Sequence, residues 1–425
     1  HSALIVSPKS VVSVWMKHLE EWAPELRVGV IRAEDDRKSS WKRFAHVFVT
    51  SIDTLRNDIE NKTLQKGKPY FDLLIVDEAQ IIKNYESKRS QAARKVSSLY
   101  RWAITGTPLE NKTEDVASIL AFLFPARIRG EHLKSFNEQM VQEVLKTCML
   151  RRLKRDVLKD LPPIVRQELW LDMDAAQRKA YADLYEIEVG KLQQLQFGDG
   201  DFKIKSAAIQ AIQRLKQICN FAPGQTTSPK LEAIGDILAE IENSDQKLVV
   251  FSQYIKEGLD KLQAGLPKQA GISFFKGSMS DRQRDQALVE FRTNPAQKAL
   301  FVSLRAGGSG ITLTEASYVV MFDPWWNPAV MRQAEDRVHR IGQKAERVTV
   351  YQLAMTGTIE ERIYKLLEQK QRLAASVVDS LADERQDLEQ SLSTGELLGL
   401  FNLGFGANGE VVKRARPAAV QLRLG

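Results

Sequence analysis

Short apolar runs separated by helical patterns dominate the first third of the chain. Residues 3–6, 47–49, 73–76 and 102–104 are apolar stretches bounded by polar or turn residues, the pattern of strands buried on both faces. Between them, 11–22 and 88–97 carry the three-to-four-residue apolar spacing of helices. Strands alternating with helices predict a parallel sheet covered on both sides. From about 126 to 229 this rhythm fades into helical patterns. Asp174-x-x-Gln177 reads as a capping box opening a helix through Tyr181 and Leu184, and Gly198-Asp199-Gly200 breaks it from a second helix over 207–218. The alternation then returns, with strands at 247–251, 299–303 and near 317–322, and with further capping boxes at Ser280-x-x-Gln283 and Thr358-Ile359-Glu360-Glu361. The last of these opens a helix through Leu366 and Leu373.

The stretch 304–343 is the most informative. Asn327 is a good N-cap, Pro328 suits the first helical position and Gly342 supplies the stop. Val330, Ala334, Val338 and Ile341 would share an apolar face, and Gln333, Arg337 and Arg340 a polar one. Such a stripe is either a solvated basic face or a set of fixed N–H donors for phosphate.

Composition narrows the field modestly. A chain of 425 residues predicts two or three domains, and 43% hydrophobic with 27% charged residues is the balance of a globular protein. A net charge of +7 permits a polyanionic partner. Only Cys148 and Cys219 occur, without metal-ligand spacing, and no apolar run approaches the about 20 residues of a membrane span. The chain opens at His1 directly before an apolar run, so it is expected to be cut from something longer.

Ligands of parallel sheets bind outside the carboxyl ends of the strands, which directs attention to the residues after each run. Asp77-Glu78-Ala79-Gln80 follows 73–76. Adjacent carboxylates there suit a magnesium nucleotide, the first holding Mg²⁺ through water and the second orienting the attacking water; an acidic pair also commonly caps a helix. Thr105-Gly106-Thr107-Pro108 follows 102–104 as a tight turn with two hydroxyls. Ser7-Pro8-Lys9-Ser10 and Thr50-Ser51 offer small donors suited to a nucleic-acid backbone, or simply loops.

Taken in order, these pieces resemble the motifs of superfamily 2 helicase-like ATPases, and more closely the Swi/Snf-type double-stranded DNA translocases. The resemblance runs from about Leu4 to Leu403. Ser7-Pro8 resembles motif Ia, Thr50-Ser51 motif Ib, Asp77 to Gln80 motif II and Thr105 to Pro108 motif III. Ser252-Gln253-Tyr254 resembles motif IV and Arg305-Ala306-Gly307-Gly308 motif V. The stretch 149–163 resembles the interlobe linker, and Leu215 to Asn220 the helical protrusion, although Phe221-Ala222 stands where His-Pro is usual.

The resemblance implies two RecA-like α/β lobes with helical protrusions and a C-terminal brace helix. The expected division is 1–125 for the first lobe, 126–228 for protrusions and linker, 229–357 for the second lobe, 358–403 for the brace and 404–425 for a flexible basic tail. It implies ATP and Mg²⁺ as cofactors, with the metal at Asp77, water orientation by Glu78, arginine fingers at Arg337 and Arg340, and nucleotide contacts from Gln333, Gly308 and Gly310. DNA contacts would come from Ser7, Pro8, Lys9, Thr50, Ser51, Ser252, Gln253, Lys276, Ser278, Ser303 and Arg305. Trp325-Trp326 would wedge at DNA or pack the lobe. The implied partners are double-stranded DNA and proteins bound to it, with no membrane, for a monomer in the bacterial nucleoid or a eukaryotic nucleus. DEAQ and short insertions look more prokaryotic.

One piece departs from the pattern. No G-x-x-x-x-G-K-[ST] loop occurs in the chain, and Lys66-Gly67-Lys68-Pro69 is no substitute because no hydroxyl follows. The expectation is therefore an ATPase parent whose present polypeptide hydrolyses little. A strand-separating helicase, an ATPase-dead paralogue and a non-hydrolysing DNA scaffold remain the alternatives.

Overall fold

The computed structural model describes residues 2–32, 36–64, 70–105, 113–128, 130, 136–150, 161–196, 198, 200–267, 271–304, 311–323, 325, 328–377, 392–406 and 410–413. Thr107, Pro108, Arg305, Gly308, Gly310, Trp326, Asn327, the basic linker at 151–155 and the tail from Arg414 lie outside the described residues. The chain divides into two compact units, 1–159 with 309–311 and 160–308 with 312–425.

The first unit holds a five-stranded parallel sheet. Its strands are β1 (Ala3–Ser7), β2 (Val28–Ile31), β3 (Val47–Ser51), β4 (Phe71–Asp77) and β5 (Ser98–Ile104), in the order β2-β3-β1-β4-β5. The period of two sorts the central strands between two cores. Leu4 and Val6 of β1 face Phe48, Leu74 and Val76, whereas Ile5 faces Val47, Val49 and Ile75. Helix α1 (Val12–Trp22) covers the second face with Val12, Trp15, Met16 and Leu19. The first face takes α2 (Ile52–Glu60), α3 (Lys88–Lys95) and α4 (Thr113–Leu123), through Leu55, Ala93 and Phe122 among others. Ser51 and Ser87 cap α2 and α3, each accepting the N–H three residues on. Arg101 stops two helices at once. Its guanidinium donates to the Val96 carbonyl just past α3 and the Phe122 carbonyl near the end of α4, and burial lowers its pKa below the usual arginine value. Helix α5 (Glu138–Cys148) adds Val141 to a small cluster with Val116 and Leu120 of α4.

The second unit holds six parallel strands: β6 (Ile164–Leu171), β7 (Leu248–Ser252), β8 (Ile272–Phe275), β9 (Ala299–Ser303), β10 (Tyr318–Met321) and β11 (Val348–Met355). Their order is β6-β11-β10-β7-β9-β8. Strand β6 lies in a stretch expected to be helical. Its sequence I-V-R-Q-E-L-W-L carries three polar residues in a row at its centre, which β6 accommodates because it is an edge strand and largely exposed. What makes it a strand is eight-residue parallel pairing with β11, from Ile164↔Val348 to Leu171↔Met355.

Helices α6 (Ala175–Gln193) and α7 (Asp201–Asn220) form a helical module with α11 (Ile359–Val377) and α12 (Thr394–Gly399); α8 (Pro229–Ile241), α9 (Asp281–Thr293) and α10 (Pro328–Val338) lie between them in sequence. Leu192, Ile212, Leu215, Ile363, Leu397 and Phe401 fill its core. Tyr185 stacks on Phe401 at 6.0 Å, and Arg362 donates to both the Tyr185 hydroxyl and the Leu400 carbonyl at 2.7 Å. Helix α8 instead buries Leu231, Ile234 and Ile241 against β7, β9 and β10. The three expected capping boxes differ in outcome. Ser280 and Gln283 bond reciprocally. Asp174 caps α6, but the Gln177 amide turns inward to the Ile218 and Cys219 carbonyls, tying the start of α6 to the end of α7. Ahead of α11, Glu361 takes the N–H of Gly357 rather than that of Thr358. Among the described residues no helix is long and apolar enough to cross a membrane.

Candidate functional site

Because every strand pairing in the first sheet is parallel, all the carboxyl ends fall on one edge. The register Ser7↔Ser51, Val6↔Val76 and Asp77↔Ile104 places Ser7, Ser51, Asp77 and Thr105 along it. Asp77 ends β4 and is half-buried. One carboxylate oxygen accepts the indole N–H of Trp15 at 2.8 Å and the other accepts the N–H of Glu78 at 2.9 Å. Glu78 is left-handed, with φ 49° and ψ 55°. A non-glycine residue held there costs about 1–3 kcal/mol, and such strain collects at functional turns. The turn drops Ala79 into the core and leaves the Glu78 carboxylate on the edge.

Gln80 connects this pair to the next strand. Its amide donates to Glu78 Oε2 at 2.5 Å and its carbonyl accepts the Thr105 hydroxyl at 2.8 Å. The result is a continuous hydrogen-bonded line from Thr105 through Gln80 and Glu78 to Asp77, with Trp15 behind it. The sequence reading placed the acids and Thr105 here but missed Trp15 altogether. Its apolar helical spacing signals burial of α1 and nothing about which carboxylate it meets.

The donor set fits a hydrated divalent cation. Each Asp77 oxygen has a lone pair left after its one bond, and Mg²⁺ is commonly held by one or two carboxylates together with water and substrate phosphates. Among the described residues there is no group of three or more His, Cys, Asp or Glu that could form an all-protein metal cage.

In the second unit, α10 carries Gln333 and Arg337, both half-buried. The helix stops at Val338, earlier than Gly342 (φ +100°) suggested. Arg340 is therefore not the third member of a helical stripe, and Ile341 is 71% exposed rather than part of the apolar face. The reason is competition for the last turn: the Arg337 carbonyl accepts the N–H of Leu313, and the Gln343 amide takes the Val338 and Ala316 carbonyls. Arg340 instead donates to the Thr312 hydroxyl at 3.2 Å. Upstream, buried Glu335 pairs with Arg166 of β6 at 2.6 Å, which fixes α10 against the sheet edge.

The residues expected to touch DNA divide sharply by exposure. Ser7, Thr50 and Ser51 are buried; Thr50 donates to the Ile31 carbonyl and Ser51 caps α2. Pro8 is half-buried and Lys9 exposed. In the second unit Ser252 and Ser303 are buried, Gln253 is half-buried and Ser278 exposed. Lys276 is largely enclosed, pairing with Asp260 at 2.6 Å, donating to Gln263 at 2.8 Å and lying over the Phe274 ring.

Residues 1–223 match the SNF2-related domain, and residues 229–342 match the helicase conserved C-terminal domain. A Bacillus subtilis protein described as an ATP-dependent helicase/translocase, YwqA, is 33% identical over 94% of this chain and 45% of its own length. The mouse SWI/SNF-related matrix-associated actin-dependent regulator of chromatin subfamily A member 1 is 31% identical over 94% of this chain and 41% of its own. This chain thus spans less than half the length of these relatives. Among solved structures, the Sulfolobus solfataricus SWI2/SNF2 ATPase core in complex with dsDNA is similar at 27% identity, covering 94% of this chain and 86% of that one, with a TM-score of 0.45.

Proposed function

The chain belongs to the SNF2-related family, and from that membership we propose that it is the motor part of an ATP-dependent translocase on double-stranded DNA that displaces or remodels bound protein. The observation that carries the reading is the hydrogen-bonded line Thr105–Gln80–Glu78–Asp77 at the carboxyl edge of the first sheet. Asp77 would hold a hydrated Mg²⁺, which when bound neutralises nucleotide phosphate charge. Glu78, steadied by Gln80, would orient the attacking water. Arg337 and Arg340 would supply guanidinium donors to the phosphoryl oxygens, with Gln333 beside them; such arginines are worth roughly 10³–10⁵ in rate. Grip on the DNA backbone by groups such as Lys9, Gln253 and Ser278 would be sequence-neutral and weaken with salt.

The chain itself contains no G-x-x-x-x-G-K-[ST] loop, so the 425 residues alone should turn over ATP little or not at all. This same observation supports the second reading, a DNA-binding scaffold without hydrolysis. Duplex-stimulated ATPase by a version carrying that loop, lost in Glu78→Gln and Arg340→Ala, supports the motor and removes the scaffold. Triplex displacement without unwinding of a forked duplex separates translocase from helicase; unwinding without triplex displacement sinks the proposal. Robust turnover by the chain alone would disprove its expected inactivity.

A further inference from the structure

Behind the loop that follows β7 lies a buried set of charges that none of the motifs above explains. Asp323, just past β10, has no exposed surface. One of its oxygens accepts the Ser252 hydroxyl at 2.5 Å and the other the backbone N–H of Gln253 at 2.9 Å. Asn220, the last residue of α7, donates its amide to Asp323 at 3.4 Å and to the Glu257 carbonyl at 3.2 Å. That carbonyl belongs to a π-helical turn, Ile255–Asp260, whose wide hydrogen-bonding pattern leaves backbone groups to satisfy. The Asn220 side-chain oxygen, Oδ1, accepts from Lys230 of α8, which also pairs with Glu360 of α11. Lys216, one turn before Asn220 in α7, is 1% exposed and within electrostatic reach of both Asp323 and Glu360.

Two ammonium groups and two carboxylates balance one another here. Apolar residues of the same shape would generally hold a core together as well as such a set does. What the charges add is direction, since each hydrogen bond admits one geometry. That geometry ends at the backbone of Gln253 on one side and at the first residue of the stretch leading into α10 on the other. Ser252 is wholly buried, so its hydroxyl serves Asp323 rather than DNA, and the half-buried Gln253 is left to present the loop.

We propose that Asp323, with Lys216 of the helical module as its buried counter-charge, is a positioning residue that holds the 252–254 loop for contact with the DNA backbone. This rests on the DNA-contact reading of Gln253. Asp323→Asn keeps the shape but cannot accept both bonds and leaves the two lysines with a single carboxylate. Asp323→Asn combined with Lys216→Met restores the charge balance without restoring the bonds.

The test measures three quantities on the full chain: the melting temperature, amide exchange over 252–254, and the affinity for a duplex oligonucleotide at fixed salt. The single variant should melt lower, exchange faster over 252–254, and bind about tenfold more weakly, the loss of one hydrogen bond to a phosphate from an uncharged loop. The double variant should recover melting temperature while exchange and affinity stay altered. Recovery of all three together would overturn the proposal, because a merely structural carboxylate predicts that they move as one. Should both variants fail to fold, Ser252→Ala removes one bond without changing charge, and unchanged exchange and affinity there would equally overturn it. A wild-type chain that does not bind duplex DNA would overturn the DNA reading and this inference with it, whereas wild-type binding with an unaltered affinity in the variants overturns this inference alone.

Discussion

The Lys230 ammonium and the Glu360 carboxylate meet at 2.9 Å with neither side chain exposed. The pair joins α8, packed on the second sheet, to the start of α11, and Glu360 uses its other oxygen to accept the N–H of Met355 at the end of β11. Removing one partner strands the other charge away from water, at a cost of about 3–5 kcal/mol, whereas removing both together need not destabilise. Lys230→Met and Glu360→Met should each melt well below the parent, and the double variant should melt above either single one. A double variant melting at or below the worse single would show that the ion pair is not the source of the loss.

Lys216 carries a pH dependence whose sign follows from its surroundings. Burial lowers its pKa below the ordinary 10.5, with Lys230 pushing the same way and Asp323 and Glu360 opposing; the neighbouring Cys219 thiol is pushed upward by its own burial. Between the depressed folded value and 10.5 the unfolded chain binds a proton that the folded chain does not, so this group's contribution to stability rises with pH there. Chemical denaturation compared between the parent and Lys216→Met should show that rise in the parent only. Parallel curves for the two proteins would refute it.

Gln80 bridges Thr105 and Glu78, so its loss should affect turnover more than binding. In a version competent for hydrolysis, Gln80→Ala should lower kcat by about tenfold or more, the scale of a single positioning contact, with the KM for ATP changing less. A rise in KM at constant kcat would assign Gln80 to binding instead.

Lys276 is held by Asp260, whose own side chain is 48% exposed, so the pair contributes little to stability. Asp260→Ala should leave the melting temperature nearly unchanged and free an ammonium for phosphate, steepening the salt slope of duplex binding by about 1. An unchanged slope would remove Lys276 from the DNA contacts.

Legibility followed how local each cause is. The central strands of both sheets announced themselves as apolar runs because strands covered on both faces have no polar side to show. Strand β6 was hidden for the converse reason: an exposed edge strand shows polar residues, and its partner β11 lies far away in sequence, Ile164 pairing with Val348. The acidic pair and Thr105 were legible because strand ends in a parallel sheet converge on one edge. Trp15 and the buried serines were not, since a side chain's partner depends on which helix or strand folds over it.

The sequence by itself determined the class of fold, the position of the acids at a strand's end, the glycine and proline signals around α10, and the family. These are set by periodicity, local backbone preference and ordered short motifs. Only the tertiary structure decided that α10 stops before Arg340, that Lys276 is tied to Asp260, and that Lys216, Lys230, Asp323 and Glu360 share one interior. Each of those outcomes rests on pairing or burial between residues distant along the chain, where the competing energies of desolvation and hydrogen bonding are settled only once the elements have packed.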